Sequence, residues 1–157
     1  GAIRAGRVSD GLFDLMDLFN TALALGNAMS GIPSDRYIDG IDQSSFLLSD
    51  EGRSNRDTVF HWMQGRFMAL RWQEYKTHYE VLLPGDANAE RHGGLQNTMI
   101  ATTGYLGWVY NLYTDPGEQH PLGLRNEWIL PFVQARKQRH LQTLRDFPPR
   151  TSTSPPW

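Results

Sequence analysis

The sequence predicts an α+β fold: a small antiparallel sheet of about four strands, packed against a long C-terminal helix and preceded by a short strand and a helix. Three patterns carry this reading. Residues 75–82 alternate, with Tyr75, Thr77, Tyr79 and Val81 on one face and Lys76, His78 and Glu80 on the other. That period of two marks a half-buried antiparallel strand. Shorter strand-like runs flank it at 59–62, 66–72 and 107–113. From 127 to 145, Leu130, Val133, Leu141 and Leu144 fall on one helical stripe, widened by Trp128, Ile129 and Phe132.

The elements follow in order. Residues 8–13 read as a short strand and 15–25 as a helix, with Leu12, Leu15, Met16 and Phe19 at helical spacing. Gly26 and Asn27 supply its stop, because both tolerate positive φ. Asp14 and Asp17, three apart at the helix start, suit capping and dipole roles better than acid–base pairing. Residues 27–58 are rich in Gly, Pro, Ser and Asp and read as surface loop, with one or two helical turns at 44–48. Gln73-Glu74 makes a tight connection between strands. Residues 84–103 read as a long excursion, and Asp115-Pro-Gly-Glu118 as the turn after the last strand. Asn126 is placed to cap the final helix and Glu127 to complement its dipole. Pro131 delays the regular helix by a few residues. The organisation expected is one α+β subdomain over 1–147, with 1–26 as a strand–helix junction, and a Pro/Ser/Thr-rich tail over 148–157.

Composition excludes several function classes. The 157 residues are 39% hydrophobic and 20% charged, which favours a packed globular fold over disorder. Lys and Arg number 15 against 17 Asp and Glu, a net charge of -2, so nothing points to nucleic acid or an anionic membrane as partner. The absence of cysteine removes disulfides, thiolate zinc sites and cysteine nucleophiles. No apolar run reaches the roughly 18 residues of a membrane span. The opening Gly-Ala-Ile-Arg-Ala-Gly-Arg has no signal-peptide core and no initiator Met, so a start inside a longer chain is the expectation.

No self-sufficient catalytic constellation emerges. His61, His78, His92, His120 and His140 lack metal-ligand spacing. His61, between Phe60 and Trp62, reads either as a polar group at a cleft edge or as a hydrogen-bonded, partly buried imidazole. His78 reads as part of a solvated sheet face. Asp35, Asp39 and Asp42 miss the calcium-loop pattern and suit Asx-turns. His92-Gly-Gly94 and Gly104-Tyr-Leu-Gly107 match no phosphate-binding loop. Arg136-Lys-Gln-Arg-His140 reads as the solvated, basic end of the last helix.

Three segments do carry a resemblance. Gly1-Ala-Ile-Arg-Ala-Gly-Arg-Val-Ser-Asp10 leads into Leu15-Met-Asp-Leu-Phe-Asn-Thr21. Ile32-Pro-Ser-Asp-Arg-Tyr-Ile-Asp-Gly-Ile-Asp42 precedes the short helix. Met68-Ala-Leu-Arg-Trp-Gln-Glu-Tyr-Lys76 precedes Tyr110-Asn-Leu-Tyr-Thr-Asp-Pro-Gly-Glu118. In this order they resemble the C-terminal part of an arylsulfatase-like sulfatase of the alkaline-phosphatase-like superfamily, across roughly residues 1–120 and the last helix. Asn20 stands where that family usually has Pro. The family's Cys/Ser-x-Pro-x-Arg nucleophile motif does not occur.

The resemblance implies the C-terminal portion of a sulfuric-ester hydrolase that packs on a missing N-terminal catalytic subdomain and shapes the substrate cleft. It implies inactivity alone, with no cofactor in this chain, and calcium and formylglycine in the intact enzyme. It names His61, Trp62, Arg66 and Arg71 as candidates for the rim that meets the organic part of a sulfate ester. For the arginines the alternative is a surface salt bridge, and for Trp62 it is core packing. Losing the large subdomain should uncover an apolar face of Leu12, Phe13, Met16 and Phe19. Family members are usually exported to the periplasm, the exterior or lysosomes. A stand-alone binding module on the same scaffold and an unrelated small enzyme are the competing readings.

Overall fold

The computed structural model describes residues 2–50, 52–84, 98–104 and 107–148. The tail past Pro148, His92-Gly-Gly94, and Tyr105 and Leu106 lie outside the described residues. The described residues form two compact units, one from those up to Asp57 and from Gln134 onward, the other Thr58–Val133.

The first unit opens without the expected strand. Residues 8–13 run extended with no strand partner among the described residues. Side chains take the place of a neighbouring strand: Ser54 Oγ and Gln43 Nε2 both donate to the Leu12 carbonyl. Arg7 reaches the carbonyls of Phe46 and Gly52. Helix α1 is Asp17–Leu25, two residues later than the hydrophobic spacing suggests. The delay arises at Asp14, whose carboxylate accepts the Met16 N–H in a turn at 3.2 Å. Gly26 and Asn27 end the helix as expected, with Asn27 at φ 52°.

Asp17 does more than complement the dipole. It is 0% exposed and forms a buried ion pair with Arg56. Arg56 Nε meets one oxygen at 2.8 Å and Arg56 also holds the Asp39 carbonyl at 2.9 Å. Asp17 further accepts the N–H groups of Asp14 at 3.0 Å and Ile41 at 2.9 Å. Burial alone would push this carboxyl up; the hydrogen bonds outweigh it and bring the pKa down to about 2 from 3.8. Gly40 is required here, since a Cβ would lie 2.1 Å from the Met16 carbonyl oxygen. Asn20 donates to the Gly40 carbonyl.

Helix α2 is Ser44–Leu48. Asp42 accepts the Ser44 N–H at 2.8 Å, the Asx role expected of it. Gln43, fully buried, accepts the Asn55 N–H and donates to Ser54, each at 2.9 Å.

The second unit is the predicted β-region, in two sheets. Strands β1 (Thr58–Met63), β2 (Arg66–Trp72), β3 (Tyr75–His78) and, later in the chain, β6 (Trp108–Asn111) form an antiparallel sheet in the order β1-β2-β3-β6. Two-residue turns join the first three strands. Gln64, Gly65 and Gln73 adopt positive φ there, which suits hairpin twist. The predicted strand over 75–82 breaks at Tyr79. Its second half, β4 (Glu80–Pro84), pairs instead with β5 (Thr98–Thr102), inside the segment read as an excursion. One face of the larger sheet carries Phe60, Leu70, Thr77 and Val109 in a single cross-strand row. Leu70 and Val109 pack with Tyr79, Ile129 and Val133 to make the core.

A 3-10 segment, Leu124–Ile129, leads into helix α3, Leu130–Asp146. Pro131 therefore sits in the first turn, where its missing N–H costs nothing. Asn126 does not cap this helix; it lies within the 3-10 segment at φ -107°. Ile129 and Val133 supply the apolar contacts of the second unit. From Gln134 onward α3 belongs to the first unit. Its basic stretch is not simply solvated: Arg136 pairs with Asp57, and His140 is buried 3.8 Å from Asp39.

Two stability outcomes follow. Asp17→Asn or Arg56→Met should each lower the unfolding free energy by about 3 kcal/mol, because either leaves a buried polar group mismatched. Urea unfolding measures this, and losses under about 1 kcal/mol would contradict the pair's importance. Thr77 Oγ1 is buried with no hydrogen-bond partner among the described residues. Thr77→Val should raise stability by about 1 kcal/mol, read as a higher melting temperature.

Candidate functional site

Strand register, not sequence proximity, assembles the site. On the face opposite the core row, His61, Ala69, His78 and Trp108 form one cross-strand row across all four strands. Val59, Arg71, Lys76 and Tyr110 form the next. Ala69 is the small member of its row, so the sheet surface is hollow between the histidines. A concavity of about 440 Å³ opens there. Trp62 stands at its wall on edge strand β1 and Trp108 on edge strand β6, 41% and 43% exposed.

Glu118 organises the floor. It accepts from Lys76 Nζ at 2.7 Å and contacts His78 Nε2 with its other oxygen. The Tyr110 ring meets the His78 ring edge-on at 5.6 Å between centroids. The turn that delivers Glu118 is tied down locally. Asp115 accepts the N–H groups of Gln119 at 3.1 Å and His120 at 2.8 Å, and Glu118 sits at φ 52°. A non-glycine residue held in that region costs on the order of 1 kcal/mol and persists only when its surroundings dictate it. Gly107, at φ 77°, lets β6 approach β3; a Cβ there would lie 2.7 Å from the His78 carbonyl oxygen.

The electrostatics of the group are coupled. Burial pushes the His78 pKa down; the hydrogen bond to Glu118 opposes this, and the Lys76 charge adds to it. Burial would push Glu118 up, but the hydrogen bonds from Lys76 and His78 outweigh it, and its pKa is lowered. At neutral pH the arrangement is a neutral imidazole donating to an ionised carboxylate that also holds an ammonium. Such a cluster can present donors and acceptors in fixed positions.

Of the four residues singled out in the sequence, the structure brings two together. His61 and Trp62 both line the concavity, and Trp62 packs edge-on against Phe67 at 5.2 Å. Arg66 and Arg71 do not line it. Arg66 grips Glu80 through two bonds of 2.6 and 2.9 Å, and Arg71 donates to the Gln73 carbonyl at 2.8 Å. Sequence reasoning missed Lys76, His78 and Glu118. His78 is not on a solvated face; its side chain is 19% exposed and paired. The signal was present in the alternation of Lys76 and His78 and in the Asp-Pro-Gly-Glu turn, but nothing in the chain order joins two segments 40 residues apart. Among the described residues no group of three or more His, Asp or Glu is placed to hold a metal ion.

His78 and His140 share a direction, since burial lowers both below 6.5. The unfolded chain then takes up protons first. Stability contributed by these groups is complete above about pH 6.5 and is lost as pH falls through their folded values. Histidine NMR titration should show both below 6.5, and Glu118→Gln should move His78 lower still, because the carboxylate is what favours its proton. An unchanged or raised His78 value would refute the coupling.

Known proteins share this architecture and these segments. The family described as the C-terminal region of aryl-sulfatase matches residues 54–157. N-acetylgalactosamine-6-sulfatase of Canis lupus familiaris is 32% identical across 92% of this chain, and steryl-sulfatase of Mus musculus 30% identical across 97%. The crystal structure of PsFucS1 sulfatase from Pseudoalteromonas sp. matches with a TM-score of 0.84 and 37% identity over 94% of this chain. The chain spans 29%, 27% and 29% of the lengths of these three proteins. With the Arg71–Lys76 hairpin and the Asp115–Glu118 turn meeting at one ion pair, and the family match running through both, this chain belongs to the sulfatases and corresponds to their C-terminal region.

Proposed function

We propose that this chain is the C-terminal portion of a sulfuric-ester hydrolase, that it packs on the catalytic portion through the outer face of α1, and that its hollow sheet face forms part of the substrate cleft. The observation that carries the packing is the orientation of α1. Its buried residues are polar: Asp17, Asn20 and Thr21. Three of its apolar residues, Leu18, Phe19 and Leu25, are exposed, with Leu23 half-buried, and Phe13 and Leu15 just before it are exposed too, the latter at 82%. An amphipathic helix ordinarily does the reverse. A contiguous exposed apolar stripe of this kind marks an interaction surface. Phe13 and Phe19 of the expected apolar face are on it, while Leu12 and Met16 are partly covered. The relatives' greater length supplies the partner: the residues that precede the matched region.

In this reading the calcium ion and the formylglycine belong to the catalytic portion, and the present chain turns over no substrate alone. His61 and Trp62 meet the organic part of the ester, whereas Arg66 and Arg71 brace the hairpins that hold the cleft. Two measurements test the proposal. The isolated chain should bind a hydrophobic dye and self-associate, and Leu18→Ser with Phe19→Ser should abolish both without loss of helix content. A monodisperse, dye-free wild-type chain would overturn the packing claim. Turnover of an aryl sulfate by the chain alone, with or without added calcium, would overturn the assignment of chemistry to the catalytic portion.

A further inference from the structure

We propose that the folded chain is spontaneously modified at Asp10, which passes through a cyclic imide with Gly11 to iso-aspartate, and that the fold withholds the same modification from Asp39–Gly40. Neither the docking face nor the cleft enters into this assignment.

The sequence holds two Asp-Gly steps, at 10–11 and 39–40. At such a step the backbone nitrogen after the aspartate can reach the side-chain carboxyl carbon, because glycine has no Cβ to obstruct the approach. The glycine nitrogen forms a C–N bond to Cγ and closes a five-membered imide. The carboxyl OH and the amide proton leave together as water. Water then adds at the imide carbonyl that came from the aspartate main chain and breaks the C–N bond there. The product carries a free α-carboxylate, and its main chain runs through Cβ and Cγ. No atom is gained or lost overall, and water is the one co-reactant.

Asp10 and Gly11 are open to this ring closure. Both are exposed and lie outside any helix or strand. The Asp10 carboxylate has no hydrogen-bond or ion-pair partner among the described residues. The Gly11 N–H, which must give up its proton, donates to Ser9 Oγ at 3.2 Å, a local neighbour that can turn with it. Val8, just upstream, is 91% exposed, so the chain entering the step is not packed down.

Asp39–Gly40 offers the same chemistry in the opposite setting. Gly40 is buried. The Asp39 carbonyl, which would become part of the imide, is held by Arg56 at 2.9 Å. The Gly40 carbonyl accepts from Asn20, and the next N–H, that of Ile41, is bound to Asp17 at 2.9 Å. The Met16 carbonyl oxygen lies 2.1 Å from where a Gly40 Cβ would sit, so the peptide has little room to turn. Ring closure there must wait for local opening of the loop, and only a small fraction of molecules is open at any time. The contacts that order the loop therefore also protect it chemically.

The exposed product has a partner of definite chemistry. The new α-carboxylate sits in an accessible, extended stretch, the form of substrate that a carboxyl methyltransferase using S-adenosylmethionine can reach without unfolding the chain.

Ageing the folded 157-residue chain in warm, mildly acidic buffer tests this. One set of samples is offered to protein isoaspartyl methyltransferase with radiolabelled S-adenosylmethionine, which counts accessible iso-aspartate. A second set is digested with trypsin, which places the two sites in separate peptides, 8–36 and 37–53, and electron-transfer fragmentation locates the iso-aspartate within each. Iso-aspartate should accumulate at Asp10 at least about tenfold faster than at Asp39. In guanidinium chloride the two sites should react at similar rates, because both are then unfolded. Asp10→Glu, which keeps the charge on an exposed side chain, should remove the label from the folded chain. No accumulation at Asp10, or comparable accumulation at both sites in the folded chain, would overturn the proposal. So would a preference for Asp10 that persists undiminished in guanidinium chloride, since the selectivity would then come from neighbouring residues and not from the fold.

Discussion

A carboxylate with no exposed surface sets the design of the first unit. Asp17 is buried on a helix whose other inward residues are Asn20 and Thr21, and Arg56 is brought in from 39 positions away to neutralise it. Taking that charge out of water is costly, and only a guanidinium with several further N–H donors offsets the cost. Once the polar stripe of α1 is committed to Arg56, Gly40 and Ile41, Leu18, Phe19 and Leu25 are left facing outward. The exposed stripe is therefore the geometric counterpart of the buried ion pair. The exposed apolar stripe and the ordering of the long loop have one physical origin. Asn20 fits the same scheme, because its amide reaches the Gly40 carbonyl from the buried side of the helix.

The second unit is governed by a different constraint. Its four-stranded sheet has an apolar face occupied by Leu70, Val109, Ile129 and Val133, and a polar face that must still be partly buried. Glu118 meets that demand by arriving from the turn after β6 and satisfying Lys76 and His78 together. The small side chain at Ala69 leaves the hollow; the turn anchored by Asp115 closes its floor. The two motifs that look unrelated along the chain, a hairpin lysine and a turn glutamate, are the two ends of one interaction. Their joint presence is explained by electrostatics before any chemistry is assigned to them.

Much of this was open to reading in the residue order, and the losses have identifiable causes. The alternation at 75–81 correctly separated Tyr75, Thr77 and Tyr79 from Lys76 and His78, because pleating is local. It could not show that the chain leaves one sheet for another at Tyr79, since both halves are equally good strands and the choice lies with their partners. The strand expected at 8–13 failed for the same reason: β-propensity describes a surface that fits a neighbour, and here side chains of Gln43, Ser54 and Arg7 took the neighbour's place. Of the rim candidates, His61 and Trp62 lay in the hollow, while Arg66 paired with Glu80 at the start of β4 and Arg71 with the Gln73 carbonyl of its own hairpin. Whether an arginine beside a cleft points into it is decided by the nearest acceptor.

The sequence by itself determined the α+β class, the hairpins, the position of the last helix relative to Pro131 and the family, because turn chemistry, side-chain period and motif order are properties of neighbouring residues. Only the tertiary structure decided that Asp17 pairs with Arg56, that α1 faces its apolar side outward, and that Lys76, His78 and Glu118 share a floor between two tryptophans. Those are contacts between residues dozens of positions apart, whose energies depend on burial and register rather than on any local pattern.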